Sequence, residues 1–385
     1  MEEISARIVN CMKPLLCMEY CYGLFRCRLG GRVSDAINLR MKILGIAITA
    51  TWLIVTICAV AFSSHSFSEV FQSNENAGFL LIGASYVGSA ILLLWQTKKN
   101  QKVLEKLAGV DIVLFASIDR LYISSFRHCK ILFITLALLC IACVSMIFDI
   151  PIVAERIAHL AFTFIYFERK IEILVFCQLL YMLEQRLLLI KNYINEITYD
   201  RNRDIFIVNT RSRLDFSFIG HISNNNYKIR DLARGYTKIG KLTKLINEIY
   251  NYLIMTTLVT AFILIIIVVW SVLYDYKYTE NYSLALPTLS FVFIELLSIT
   301  LISCYCENLT TAGKGLNKIL QRLTTQENLP QAMRRQAKVF LKITDICKLS
   351  INVYDFFDVN KQLVLKFISI CTTYVIVVIQ INHLI

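Results

Sequence analysis

Residues 371–385 read CTTYVIVVIQINHLI. Within this apolar stretch Thr373-Tyr374 is followed by five apolar residues, Val375 to Ile379, and then by Gln380. Such a run reads as the end of a membrane helix, and a lone amide in a membrane helix needs a reason, because an unpaired one in lipid is costly. Thr373, Val377, Gln380 and Leu384 are spaced four, three and four, so they share one helical stripe. Two readings fit this spacing. The stripe lines a narrow pore where several copies of the helix meet, or Gln380 makes an ordinary hydrogen bond to another helix.

Outward from this stretch the same pattern recurs. Uncharged runs span 43–63, 77–97, 131–148, 253–274 and 367–385, each near the roughly 20 residues that a spanning helix needs. Leu284–Cys306 joins them with one charge, Glu295. Phe162–Leu183 joins them despite Glu168, Arg169, Lys170 and Glu172. With 56% hydrophobic residues and a mean hydropathy of +0.58, the 385-residue chain reads as an all-α membrane protein of seven transmembrane helices. The first 40 residues are polar, so no signal peptide is expected.

The net charge of +12 does not imply nucleic acid, because its distribution follows topology. Segments 1–42, 98–130, 184–252 and 307–366 hold seven, seven, twelve and ten Lys/Arg, 36 of the 40 in the chain. Segments 64–76, 149–161 and 275–283 hold only Arg156 and Lys277. The positive-inside rule then places the N-terminus in the cytoplasm and the C-terminus outside. The domain reading is a cytoplasmic segment 1–42, a six-helix bundle 43–306 with cytoplasmic helices at 184–252, a cytoplasmic segment 307–361, and a last helix 362–385.

The cytoplasmic segments carry helical periodicity: Leu187, Ile190, Ile194, Ile197; Ile239, Leu242, Ile246, Ile249; and Val339, Ile343, Ile346, Ser350, Val353, Phe357. Between them Asp200–Asn226 is polar and reads as a loop. Cys11, Cys17, Cys21 and Cys27 match no zinc spacing. They read as small hydrophobes on an amphipathic helix or as sites of palmitoylation. The five histidines are scattered without an i,i+4 pair, and no nucleophile elbow, P-loop or zincin motif occurs. No metal, cofactor or enzymatic activity is expected. Asp119-Arg120-Leu121 precedes the third span instead of following it, and no Asn-Pro occurs. Both facts argue against a G-protein-coupled receptor.

Charges inside spans face protein or water, because lipid exposure costs about 2.5–3.5 kcal/mol on insertion scales. Glu168, Arg169, Lys170 and Glu172 in the fourth span, and Glu295, alone in the sixth, either pair with one another or line a ligand pocket. Arg169 and Glu172 have the i,i+3 spacing of a pair. Tyr86, Phe148, Phe162, Tyr166, Trp270 and Phe291 fall in the outer halves of spans. With Ser85, Thr163 and Glu295 as polar groups, they are the candidates for a small-molecule pocket between bundle helices. Core packing and an interfacial belt are the competing account. Asn281-Tyr282-Ser283 is a sequon in an outer loop.

The string Thr373 to Ile381 resembles the C-terminal signature of insect gustatory receptors, which are ligand-gated ion channels related to insect odorant receptors: Thr-Tyr, five apolar residues, Gln, Phe. Ile381 stands where that family usually has Phe. Residues 351–366, INVYDFFDVNKQLVLK, resemble the family's lead-in to its last helix. The resemblance implies a multi-pass plasma-membrane receptor, a homotetramer or hetero-oligomer with related receptors, with one central pore for cations. It implies that the seventh helix splits into a cytoplasmic half, about 334–358, and a pore half, about 362–385. It places Val377, Gln380 and Ile381 at the constriction and Tyr374 beside it. Sugar-receptor members usually carry an acidic residue after Thr-Tyr. Val375 here points instead to a bitter or plant-derived tastant. The other class in play is a pore-less metabotropic receptor or a membrane transporter.

Overall fold

The computed structural model describes residues 2–27, 38–63, 69–114, 118–148, 153–203, 227–278, 285–325 and 331–381. Leu384, the sequon at Asn281 and most of the polar stretch 200–226 lie outside them. The side chains of Phe148 and Ile381 are likewise outside the description.

The architecture is helical. In chain order the elements are α1 (Glu2–Cys21), α2 (Leu39–Ser63), α3 (Glu69–Leu114), α4 (Ile118–Phe148), α5 (Val153–Arg203), α6 (Tyr227–Tyr278), α7 (Ala285–Thr325), α8 (Gln331–Ile346), the two-residue strands β1 (Asn352–Val353) and β2 (Phe357–Asp358), and α9 (Lys361–Ile381). Six of them are long and apolar enough to cross a membrane: α3, α4, α5, α6, α7 and α9. The 25-residue α2 contains the uncharged run 43–63.

The 51 residues of α5 and 52 of α6 far exceed the roughly 20 that cross a bilayer. The periodic segments 187–197 and 239–249 are continuations of spanning helices, not separate ones. Their apolar positions are buried: Leu187, Ile190, Ile239, Leu242 and Ile246 are at most 1% exposed. The axis of the bundle is α5, whose apolar window is 72% buried, against 22% for α4 and 11% for α9. The largest pairings are α3 with α6 and α5 with α7.

Buried polar groups register the helices. Arg186 on α5 donates from Nε and Nη2 to the two carboxylate oxygens of Asp111 on α3, both at 2.7 Å. Tyr122 on α4 donates to Asp111 Oδ2 at 2.6 Å, and Cys11 on α1 donates to the Tyr122 carbonyl at 3.3 Å. A bidentate, charge-assisted pair of this kind holds orientation as well as distance.

The N-terminal segment is part of the bundle. Helix α1 ends in a Schellman motif: Leu24 N donates to Glu19 O (3.0 Å) and Gly23 N to Tyr20 O (3.1 Å), with Gly23 at φ +76°. The turn brings Gly23 against Gly45 of α2, so close that a Cβ at Gly45 would lie 2.6 Å from the Gly23 carbonyl oxygen. Arg26 follows, buried. It donates to Glu19 Oε1 (2.7 Å), Glu172 Oε1 (2.9 Å) and Tyr250 OH (2.9 Å), so one guanidinium joins α1, α5 and α6.

The segment before the last helix departs from expectation. Periodicity from Val339 to Phe357 suggests helix throughout, and the resemblance implies a cytoplasmic helix over about 334–358, but α8 stops at Ile346. The chain then turns through an antiparallel hairpin, Asn352 opposite Asp358 and Val353 opposite Phe357. Tyr354 and Asp355 have φ of 46° and 60°, and Phe356 N donates to Val353 O at 2.9 Å. Two successive left-handed residues make a type I′ turn. Val353 is buried because it is a strand residue facing α6, not because it continues a helical stripe.

Candidate functional site

Helix α9 packs through one face only. Phe367 and Cys371 form a small core with Ala261 and Ile265 of α6 and Ile299 of α7, with Val364 against its edge. Tyr374 meets the Phe262 ring edge-on at 5.2 Å between centroids. At about 100° per residue, Thr373 and Gln380 lie about 120° and 140° from Phe367, and Val377, about 80° from it, lies on the flank between them and the packed face. All three are exposed. Their stripe continues through Ser369, Lys366 and Gln362, also exposed.

This face does not suit lipid. Thr373 satisfies its hydroxyl by donating to Ser369 O at 3.0 Å. Gln380 makes no hydrogen bond to the described residues. A buried, unpaired amide costs roughly 2–7 kcal/mol, so Gln380 requires water or a partner chain. The described residues supply no such partner.

The second cluster lies between α5 and α7. Phe162, Tyr166 and Phe291 are mutually packed, with the Tyr166 and Phe291 rings T-shaped at 5.2 Å and Phe162 about 6 Å from both. One turn along each helix are the charges. Glu295 Oε1 accepts from Arg169 Nη2 at 2.8 Å, and its Oε2 pairs with Lys170 Nζ at 2.8 Å. The Lys170 ammonium sits 4.7 Å from the Tyr166 ring centroid, a cation–π contact. Arg169 also donates to Thr260 on α6. Thr163, one turn before Tyr166, has a buried hydroxyl without a hydrogen-bond partner among the described residues.

Of the expected pocket residues, the structure brings together Phe162, Tyr166, Phe291 and Glu295. It does not bring Ser85 and Tyr86 to them. Ser85 bonds its own helix at Ile82 O, and Tyr86 is a core residue whose hydroxyl donates to Tyr22 O at 2.8 Å. Trp270 is half-buried on α6. Of the two readings of the charges, pairing between helices is the one seen for Glu295, which holds two cations of α5. One expectation is corrected: Arg169 and Glu172 do not pair with each other, because Arg169 turns to α6 and α7 and Glu172 to Arg26. A helix offset of three still separates side chains by about 60°, enough for each to find a different neighbour. Sequence reasoning missed Arg26 altogether, because its partners lie up to 224 positions away. The one local signal was a charge set between Phe25 and Cys27.

The description "7tm Chemosensory receptor" matches residues 13–383 of this chain. No curated protein matches it. Among solved structures, the insect olfactory receptor OR5 from Machilis hrabei superposes with a TM-score of 0.69 at 13% identity, covering 98% of this chain and 100% of that one. The same receptor in complex with eugenol gives a TM-score of 0.71 at 14% identity, covering 96% and 98%. The fold is therefore that of an insect olfactory receptor, in a multi-pass membrane protein. The chain belongs to the 7tm chemosensory receptor family, which is a receptor family and not an enzyme family.

Proposed function

We propose that this receptor is a gustatory receptor acting as a tastant-gated, nonselective cation channel in the plasma membrane. The observation that carries the reading is the outward face of α9: a spanning helix packed on one side only, with Thr373, Val377 and Gln380 turned away from its own bundle. Copies arranged around these faces, as a homotetramer or with related receptors, give Gln380 both neighbours and water. The Thr373-Tyr374 and Gln380 signature supports taste over smell. The OR5 complex with eugenol supports a small organic ligand, and Val375 after Thr-Tyr favours a bitter or plant-derived one.

In this reading α2 is the seventh span, with the N-terminus cytoplasmic and the C-terminus extracellular, on the charge bias of the connecting segments. The bundle 43–306 binds ligand, 307–361 holds subunits together on the cytoplasmic side, and 362–385 lines the pore. Val377 and Ile381, with Leu384 beyond them, form a hydrophobic constriction that closes by dewetting. Gln380 hydrates passing cations once it widens.

Ligand enters against Phe162, Tyr166 and Phe291. It opens the channel only to the extent that it binds the open state more tightly. The link to the pore is short. Arg169 bonds Thr260, whose neighbour Ala261 seats α9, and Glu295 lies one turn before Ile299, which seats it too. A ligand that moves this ion cluster therefore moves the surface on which the pore helix rests.

The test is recording from excised patches, without nucleotides or G proteins, during application of plant-derived bitter compounds. Ligand-evoked cation current is the expected result, and Val377→Ser should raise the basal leak because a hydroxyl favours wetting. Responses that need a G protein would reassign the chain to the metabotropic class.

A further inference from the structure

The segment 2–27 separates its cysteines by environment. Cys11 and Cys27 are buried, Cys11 against the Tyr122 carbonyl, whereas Cys17 and Cys21 are exposed. Burial pushes the Cys11 thiol up to about 11 and the Cys27 thiol up to about 12, which keeps both protonated and unreactive.

The exposed residues of α1 form one stripe: Glu3, Ala6, Arg7, Asn10, Lys13, Cys17, Cys21. Helical spacing keeps them on one side of the helix. Apart from Ala6, the stripe is charged or polar up to Lys13, and it ends in two thiols. Those thiols occupy the turn that meets α2. Gly23, two residues after Cys21, is in backbone contact with Gly45, which lies inside the uncharged run 43–63. Beside Gly45, Ile43, Leu44 and Ile46 are all more than half exposed, as lipid-facing residues are. Arg40 and Lys42, just outside the run, mark the headgroup level. The two thiols are thus held at the membrane boundary, facing outward, one turn apart.

We propose that Cys17 and Cys21 are S-acylation sites that carry long-chain fatty acyl groups. The thiol sulfur attacks the carbonyl carbon of a fatty acyl thioester such as an acyl-coenzyme A. The new cysteine thioester forms, the bond to the donor sulfur breaks, and the cysteine proton leaves with the donor thiol. One acyl chain anchors weakly and reversibly, whereas two give stable attachment. Two chains on the last turn of α1 fasten to the inner leaflet the same segment that Arg26 ties into the bundle. This proposal rests on the cytoplasmic N-terminus proposed above.

The experiment is thioester exchange on the full-length receptor expressed in insect cells. Free thiols are blocked, thioesters are cleaved with hydroxylamine, and the released thiols take a maleimide mass tag. The expected result is two hydroxylamine-dependent tags. One should be lost in Cys17→Ser, one in Cys21→Ser, and both in the double variant, with Cys58→Ser unchanged as a control. A tag count that does not fall in the double variant, zero included, overturns the proposal. Maleimide labelling of unmodified Cys17 and Cys21 then separates the causes. Labelling only after permeabilisation leaves the orientation standing, and labelling on intact cells overturns the orientation as well.

Discussion

Replacing Glu295 with alanine removes the one carboxylate that Arg169 and Lys170 share. Side-chain exposure is 4% for each cation and 1% for Glu295, so neither cation gains water when its partner is lost. Breaking a buried ion pair by deleting one member costs about 3–5 kcal/mol, and here one deletion strands two charges. The Tyr166 ring already faces Lys170 in the intact receptor, so its cation–π contact, about 2 kcal/mol or more when desolvated, offsets only part of that cost. Against a total stability of about 5–15 kcal/mol, the remainder suffices to deplete the folded receptor. Glu295→Ala is therefore expected to lose most surface expression and to lower the Tm of detergent-solubilised receptor, both read by surface biotinylation and a size-exclusion thermal melt. The triple variant Glu295→Leu, Arg169→Met, Lys170→Met removes the charges together and should recover expression, because buried ion sets are often replaced by apolar residues at little cost. Glu295→Ala reaching the surface with an unchanged Tm but no ligand response would refute this reasoning and make Glu295 a ligand contact instead.

Gly45→Leu should abolish surface expression, because any Cβ at Gly45 meets the Gly23 carbonyl and the Phe25 ring. Gly45→Ala should destabilise the fold by the about 1–3 kcal/mol typical of overpacking, read as a lower Tm. Burial pushes the Glu19 carboxyl up to about 7 despite the Arg26 guanidinium beside it. With its folded pKa above its unfolded value, the stability linked to Glu19 is complete below about pH 4.5 and is lost as pH rises through 7. The Tm should fall across that window and Glu19→Gln should flatten the dependence. Tyr354→Gly relieves a left-handed residue, worth about 1–2 kcal/mol. It should leave the Tm equal or higher, and a large drop would show that the Tyr354 ring, not the turn, holds the hairpin.

Helix existence was legible wherever a run of uncharged residues reached bilayer length, because lipid leaves little alternative to a helix. That Thr373, Val377 and Gln380 share one helical stripe was legible for the same reason, since spacing along a helix alone sets it. The turn at Tyr354-Asp355 was not. Ile346, Val353 and Phe357, with Ser350 between them, imitate helical spacing, and neither central residue of the turn is a glycine. The charge pairing was half legible. Glu295 announced itself as a cost in need of a partner, but the partners, on α5 and not within a turn, are set by tertiary packing. Arg26 shows the limit of such reasoning. Seven basic residues precede position 43, and only the apolar neighbours Phe25 and Cys27 hint locally that Arg26 is buried.

Cysteine substitution along 364–380, with current recorded before and after a membrane-impermeant thiol reagent, tests the pore assignment most directly. Thr373→Cys, Val377→Cys and Gln380→Cys are predicted to be modified, faster in the presence of ligand, with a change in conductance each time. Val364→Cys and Val375→Cys, on or beside the packing face, are predicted to be silent. Modification without a three-to-four periodicity, or modification of both faces alike with conductance unchanged, would mean that α9 does not line a pore.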